Sequence, residues 1–401
     1  MRITQGMTNR MYLRNNNMTK KNMTDAYQRI LTQKKYTRTS ENTLASEKAM
    51  NIRKGLRDLD NWDDNINTAT QFFKTAEQSL KQVSSDLYNR VNTLMIQGST
   101  TTVGSAGMAA VGVSLRQTAE EMVDTLNADY NGRQMFGGAS QDKVPFEIKT
   151  VNAKWSYNGV DYSNGTDDGS GTMTYAAEKI TYHDIDMTTI KKGDPTVQVT
   201  DSQGNPVTDA NGDPVYQDAN LFYGTQINDD GSIYENVLVP GQDSVLVDIG
   251  LGASFDAANN YELDPNTAFD TALHGFEILG YGTDGEGFPT NILQLTLDAS
   301  KVAQQGDIEQ VDKLNNFIDR TESARTNIQD TITELGVNYT SLDYYITKND
   351  ASRNALFERQ NTVEGTDMLK DITEYYAIEA AYNASLQMGA NILPKSIWDF
   401  I

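Results

Sequence analysis

Two histidines, His183 and His274, are the only imidazoles in this chain of 401 residues, and it has no cysteine. The lack of thiols excludes disulfides, thiolate zinc sites, iron–sulfur clusters and cysteine nucleophiles. The run Leu273-His274-Gly275-Phe276-Glu277 lacks the second histidine of a helical zinc site, and Gly285-Glu286-Gly287 lies in a predicted turn. No phosphate-cradling loop or nucleophile elbow occurs. Paired acids such as Asp229-Asp230 have the type that glycosidic chemistry needs, yet with 55 Asp and Glu such neighbours arise by chance. Asp209-Ala210-Asn211-Gly212-Asp213 invites a calcium reading, but an EF-hand loop puts its glycine at the sixth position and a bidentate Glu at the twelfth. Here the fourth residue is the glycine and the twelfth is Asn220, so a solvated turn fits better. The chain reads as a non-enzyme with no cofactor and no metal.

With 33 basic and 55 acidic side chains the formal charge is −22, which argues against nucleic acid or an anionic bilayer as the main partner. The charge is unevenly spread. Residues 1–60 carry 13 basic and 5 acidic groups, residues 141–300 carry 6 and 26, and residues 364–401 carry 2 and 6. The amino-terminal residues lack the apolar core of a secretory signal, and no run approaches the roughly 18–20 apolar residues of a membrane span. A soluble chain without a cleaved signal or membrane insertion is expected.

The elements that must position any functional residue follow from proline, glycine and hydrophobic period. Seven of the eight prolines lie between Pro145 and Pro289, and 17 of the 30 glycines fall in residues 141–300. Because proline is excluded from helix interiors and punctuates turns, the order is helix, turn-rich middle, helix. Three-and-four spacing runs through Leu59, Trp62, Ile66, Ala69, Phe73, Ala76, Leu80, Val83, Leu87, Arg90 and Leu94, which predicts a long helix with a coiled-coil seam. Gly98–Gly112 is expected to break it before Leu115, Ala119, Met122 and Leu126 resume a helical face, giving a hairpin. A second seam runs through Val311, Leu314, Ile318, Thr321, Arg325, Ile328, Ile332, Leu335, Tyr339, Leu342 and Ile346, turning polar at Asn349 and Arg353. Weaker terminal stripes pass through Ile3, Met7, Met11 and Met18, and through Tyr375, Ile378, Tyr382, Ser385 and Ile392 to Trp398 and Phe400. Trp62 and Trp398 sit on apolar stripes and read as packing residues. The methionine stripe also has the form of a membrane-surface helix, although methionine equally suits an interface that repacks.

The middle reads as β. Asn158-Gly159, Asn164-Gly165, Asp168-Gly169, Asn211-Gly212, Asp230-Gly231 and Asp284-Gly285 are hairpin-turn dipeptides. Thr196–Thr200 and Ser244–Ile249 are strand candidates, and two tandem octads at Asp201 and Asp209 suggest stacked turns. The expected class is a discontinuous α+β fold, a long antiparallel helical coiled-coil rod built from both termini with a β-rich domain inserted. Its segments are a core helix and connector (1–58), a helical hairpin (59–136), an acidic β-rich outer domain (137–297), a long carboxy-terminal helix (298–362) and a final core helix (363–401).

Motifs at both ends and in the middle then resemble one family. Met1-Arg2-Ile3-Thr4 opens the chain, and Ser40-Glu41-Asn42 precedes Ala45 and Ala49. Tyr130-Asn131-Gly132-Arg133-Gln134-Met135-Phe136-Gly137-Gly138 leads to Pro145-Phe146. Tyr382-Asn383-Ala384-Ser385-Leu386-Gln387 and Ser396-Ile397-Trp398-Asp399-Phe400-Ile401 close it. Together these resemble the bacterial flagellar hook-associated protein 3 family, the junction members of the flagellin superfamily. Thr39 and Thr43 stand where that family usually has prolines.

The resemblance implies a structural subunit that joins hook to filament, an extracellular place in the flagellum, and export through the flagellar type III system. Its partners would be other copies in a ring, flagellin on one side, hook-associated protein 1 on the other, and a cytoplasmic export chaperone at the carboxy-terminal region. The assembly residues would be Ile3, Met7, Met11, Met18, Tyr375, Ile378, Tyr382, Leu386, Ile392, Trp398 and Phe400. Tyr130, Phe136, Gly137, Gly138, Pro145 and Phe146 would form the passage from helices to β domain. Flagellin itself is the alternative within the superfamily. A carbohydrate-binding β domain, with Trp155 and Tyr157 as exposed aromatics, is a third reading.

Overall fold

A computed structural model of the chain describes residues 5–36, 38–100, 103–152, 156–157, 160–161, 166–167, 173–174, 176–193, 222–240, 244–252, 254–255, 261–262, 268–305 and 311–392. The fold is α+β, with long helices at both ends and a β-rich region inserted between them. In order come α1 (Gln5–Thr32), α2 (Thr43–Lys81), a π-helical segment (Gln82–Leu87), α3 (Tyr88–Gly98) and α4 (Gly104–Leu126). The strands follow: β1 (Asp129–Tyr130), β2 (Arg133–Gln134), β3 (Phe146–Asn152), β4 (Ser156–Tyr157), β5 (Val160–Asp161), β6 (Thr166–Asp167) and β7 (Met173–Thr174). Next are β8 (Ala176–Tyr182), β9 (Ile185–Lys192), β10 (Phe222–Ile227), β11 (Ile233–Leu238), β12 (Leu246–Val247), β13 (Ser254–Phe255), β14 (Tyr261–Glu262) and β15 (Phe269–Asp270). Helices α5 (Gly275–Leu279), α6 (Ile292–Gln304), α7 (Val311–Glu364) and α8 (Met368–Ile392) end the order.

The chain forms two compact units, one from residues 1–63 and 346–401, the other from residues 64–345. The segments 59–136 and 298–362 read from sequence are each divided between them, and α6 begins at Ile292, inside the segment assigned to β structure. Thr196–Thr200, the Asn211-Gly212 turn and both octads lie outside the described residues.

In the unit of residues 64–345, five antiparallel strands are ordered β11-β10-β9-β8-β3. β3 and β8 pair from Phe146 opposite Tyr182 to Asn152 opposite Ala176. The register slips around Gly224 on both of its neighbours, where an added Cβ would come within 2.4 Å of the Ile185 side chain. Helix α6 is buried along almost its whole length and packs on α4 and β8. Asn291 caps its start by accepting from the Leu293 and Gln294 amides at 2.7 and 3.4 Å, satisfying donors that a helix end leaves open. Gln294 then stitches the helix to the sheet, accepting from Ile180 N at 2.8 Å and donating to Glu178 O at 2.9 Å.

The Gly98–Gly112 stretch does not interrupt the helices as a whole. α3 ends at Gly98 and α4 starts at Gly104, so Gly107 and Gly112 are helical. Gly112 meets α6 so closely that Ser300 Oγ donates to its carbonyl at 2.9 Å. Its glycine serves close approach, at the cost of about 1 kcal/mol in helix propensity relative to alanine.

Candidate assembly surface and helix-to-sheet junction

In the unit formed by the two ends of the chain, α1 and α8 run antiparallel. Tyr12 Oη donates to Ser385 O at 3.1 Å, the rings of Tyr27 and Tyr375 lie 6.1 Å apart, and Arg29 pairs with Asp371 at 3.1 Å and Glu374 at 3.0 Å. These pairs realise the opposite charges of the two ends. Along α8, Asp371, Tyr375, Ile378, Tyr382, Ser385 and Gly389 are buried or half-buried at three-and-four spacing, with Ile372 and Glu379 half-buried beside them. Leu386 lies off this seam and is exposed. On α1 the seam is Asn9, Tyr12, Asn16, Thr19, Met23, Ala26 and Ile30, which is not the methionine stripe. Met7, Met11 and Met18 are 62, 63 and 61% exposed, on a face turned away from α8. Ile3, Trp398 and Phe400, and the side chain of Ile392, lie outside the described residues.

The α1–α2 and α7–α8 breaks meet in the same unit. Lys35 N donates to Glu364 O at 2.7 Å and Thr366 N to Gln33 O at 3.3 Å, while Arg53 pairs with Glu364. Asn42, from the serine-acid segment, caps α2 by accepting from Ala45 N at 3.0 Å. Asp367 caps α8 through the Leu369 and Lys370 amides at 3.1 and 3.2 Å. Where the α7 seam turns polar, Asn349 donates to Asp63 at 2.8 Å, and Arg353 reaches Asp63 at 2.5 Å and Asp60 at 3.0 Å. These bonds, Asp63 first, raise the Arg353 pKa further.

Along α7, Leu314, Thr321, Ile328, Leu335, Leu342 and Asn349 are buried at strict seven-residue spacing, with Ile318, Ile332 and Ile346 half-buried between them. The side chain of Val311 is outside the described residues. On α2, Leu59, Ile66, Phe73 and Leu80 are buried and Trp62 half-buried, and Val83 and Leu87 follow in the π-helical segment. There the seam departs from the sequence reading. Tyr88, Val91 and Met95 are buried, Leu94 is half-buried, and Arg90 is exposed and pairs with Glu121 at 2.5 Å. A π-turn takes more residues per revolution, so it rotates the buried face by one residue. The charged Arg90 in the predicted stripe was the only sign of the shift. Tyr88 Oη donates to Glu322, and burial, then this bond, pushes its pKa up to about 12.

At the exit from α4, Asn127 behaves as a substitute strand, donating to Phe146 O at 2.8 Å and accepting from Phe146 N at 3.1 Å. Tyr130 is half-buried at a two-residue hairpin, Asn131-Gly132, whose φ values of 53° and 78° suit Asn and Gly. Phe136, Gly137, Gly138, Pro145 and Phe146 are all buried. Gly138 N donates to Leu273 O and Gly275 N to Phe136 O, both at 3.0 Å. Gly275 has no room for a side chain: a Cβ would sit 2.4 Å from the Phe146 ring and 2.9 Å from Phe136 O. From the other side, His183 Nε2 lies 3.1 Å from Gly137 O. Asn127, His183 and Gly275 were missed as junction residues, because nothing local in the sequence marks a long-range partner.

Among the described residues, one group of three acids comes close enough to hold a cation, Glu147, Asp184 and Asp229. The Lys149 ammonium already lies among them, 2.5 Å from Asp184 and 2.9 Å from Asp229. Burial opposes its charge, but these two bonds outweigh that and raise its pKa. Among the described residues no helix is long and apolar enough to cross a membrane.

Residues 3–141 match the family model of the bacterial flagellin N-terminal helical region. No curated protein matches the chain. Among solved structures, a flagellar hook-associated protein of Vibrio parahaemolyticus aligns at 14% identity over 81% of this chain and 100% of its own, with a TM-score of 0.47. Hook-associated protein 3 of Legionella pneumophila aligns at 14% identity over 78% of this chain and 98% of its own, with a TM-score of 0.39. FlgL of Bacillus cereus aligns at 14% identity over 78% and 99%, with a TM-score of 0.38.

Proposed function

We infer, taking the flagellin-type helical region of residues 3–141 as the premise, that this chain is a structural subunit of the bacterial flagellum, and we propose that it joins the hook to the filament. The helical region it carries belongs to a structural rather than a catalytic family. The observation that carries the reading is the pairing of α1, inside that region, with α8 from the far end of the chain, which leaves Met7, Met11 and Met18 uncovered. A paired terminal unit with an exposed apolar row has the form of a surface that meets other subunits. The opening Met1-Arg2-Ile3-Thr4, the Phe136-Gly137-Gly138 passage and the closing Ser396–Ile401 segment favour a junction subunit over a filament subunit.

In this reading, copies assemble as a ring with flagellin on one side and hook-associated protein 1 on the other. They leave the cell unfolded through the flagellar type III channel, with a cytoplasmic chaperone on the carboxy-terminal segment. The absence of cysteine suits a chain that is threaded unfolded. Gold-labelled antibody on purified flagella should mark one band at the filament base. Label along the whole filament would establish flagellin, which the family match supports equally, and reject the junction role. Removal of residues 1–30 or 387–401 should leave a soluble monomer with residues 64–345 folded, while cells shed flagellin into the medium. Normal filaments on cells carrying either truncation would overturn the proposal.

A further inference from the structure

Both histidines of the chain converge on one residue, Gly137, and the proposed assembly role uses neither of them. His274 is its backbone partner in an isolated antiparallel bridge, and His183 bonds its carbonyl. His183 belongs to a two-residue turn, His183-Asp184, that joins β8 to β9 with Tyr182 opposite Ile185. Its φ values of 47° and 71° lie in the left-handed region, where a hairpin of this length normally uses Asn and Gly. The strain of placing two other residues there is held by what the imidazole does. Its residue is only 9% exposed, its ring packs 4.5 Å from that of Tyr182, and its backbone amide donates to Pro145 O at 2.9 Å.

A carbonyl only accepts, so the bond to Gly137 O fixes the neutral tautomer with its proton on Nε2. That leaves Nδ1 buried with no partner among the described residues. We propose that His183 is an acid-released latch: the neutral ring ties the Gly137 segment to the β8–β9 turn, and protonation at Nδ1 expels the ring and frees that segment. The protonated ring would carry a buried charge and a donor without an acceptor, and both costs are relieved only by leaving the site for water.

The surroundings do not supply a counter-charge that cancels this. Asp184, on the same turn, favours the cation but is already bonded by Lys149 from β3, at 2.5 Å. Lys143, from the loop before β3, opposes the cation. On the segment before α5, His274 Nδ1 lies 3.4 Å from Glu277, so that carboxylate faces the other imidazole. Burial, opposed by the Gly137 bond and by Asp184 and aided weakly by Lys143, holds the His183 pKa below its ordinary value. Because the released state keeps the ordinary pKa of about 6.5, it binds more protons below that pH. The latch is therefore complete above about pH 6.5 and weakens as pH falls, by at most about tenfold per pH unit for a single proton.

Amide-resolved hydrogen exchange on the full chain between pH 7.5 and 5 tests this, after correction for intrinsic rates. Protection of the Gly138, Gly275 and His183 amides should fall with pH relative to amides inside α6. His183→Gln keeps a donor that does not titrate and should flatten the profile, whereas His274→Gln should leave the fall intact. A fall that survives in H183Q, or no fall in the wild type, overturns the latch. Direct titration of the two imidazoles by NMR in the wild-type chain decides the matter if H183Q does not fold: a His183 midpoint at or above about 6.5 overturns it, and one well below supports it.

Discussion

A methyl group at position 112 would lie 2.6 Å from the Gln304 amide nitrogen and 2.7 Å from the Ser300 carbonyl oxygen. Both neighbours are backbone of α6, so no rotamer change relieves the contact and the two helices must separate. Alanine gains about 1 kcal/mol in helix propensity, but overpacking of this kind costs about 1–3 kcal/mol, and the backbone contact places Gly112 toward the upper end. Gly112→Ala should lower the urea midpoint of the unit of residues 64–345. Gly6, with nothing within 4 Å of an added Cβ, is the control in which the same change destabilises nothing. Gln294 is the polar counterpart. It is fully buried, with bonds to Ile180 N, Glu178 O and Asp298. Gln294→Leu preserves bulk but strands the buried Ile180 amide and the part-buried Glu178 carbonyl; an unpaired buried group costs about 1–3 kcal/mol, so unfolding free energy should drop by about 2 kcal/mol. A loss within error of zero would mean that water replaces the amide there.

At the scale of elements, the α1–α8 seam is unusual because its α1 side is polar where burial would favour apolar groups. Asn9 and Asn16 sit one heptad apart, and the side-chain oxygen of each is buried without a partner among the described residues. A polar residue at such a position fixes register and partner at a cost in stability. Asn16→Leu removes an unsatisfied oxygen and adds buried apolar surface, so it should stabilise the pair by about 1–2 kcal/mol. Slower amide exchange across α1 would report this, and unchanged or faster exchange would count against the seam as described. That polarity is also why the seam was illegible in the sequence: a hydrophobic period selects Met7, Met11 and Met18, which face outward. The α7 row and the Tyr375–Ser385 stripe were legible, since there the buried residues are themselves the apolar ones or continue their spacing. Leu94 was misplaced by one residue because a π-turn leaves no compositional mark. The Asp230-Gly231 turn between β10 and β11 was readable from its dipeptide, whereas His183-Asp184 was not, being held by a tertiary bond to Gly137. Likewise Asn127 and Gln294 act through partners 19 and more than 100 residues away, a distance that no local pattern spans.

For the molecule as a whole, the distribution of its core divides the labour. The twelve largest fully buried side chains among the described residues, from Ile66 and Phe73 to Phe288 and Phe317, all fall within residues 64–345. Among the described residues of the unit made by the ends of the chain, the buried apolar ones are Ala26, Ala49 and Leu59, and the rest of their cohesion comes from half-buried seams and ion pairs such as Arg29–Asp371 and Arg353–Asp63. Exposed or half-exposed pairs are worth about 0–1 kcal/mol each and weaken with salt, so they do not replace a core. Local stability should therefore rise from near zero at the terminal helices to the global value in residues 64–345. A fragment of residues 64–345 should fold alone and unfold at the same urea midpoint as the main transition of the full chain. In the full chain, α1 and α8 should exchange their amides first, and faster at high salt. A fragment that is molten, or terminal helices as protected as α6, would contradict this division. The low local stability has a functional side under the proposed role: helices that hold only weakly to each other can exchange part of that contact for neighbouring subunits without unfolding the rest of the chain.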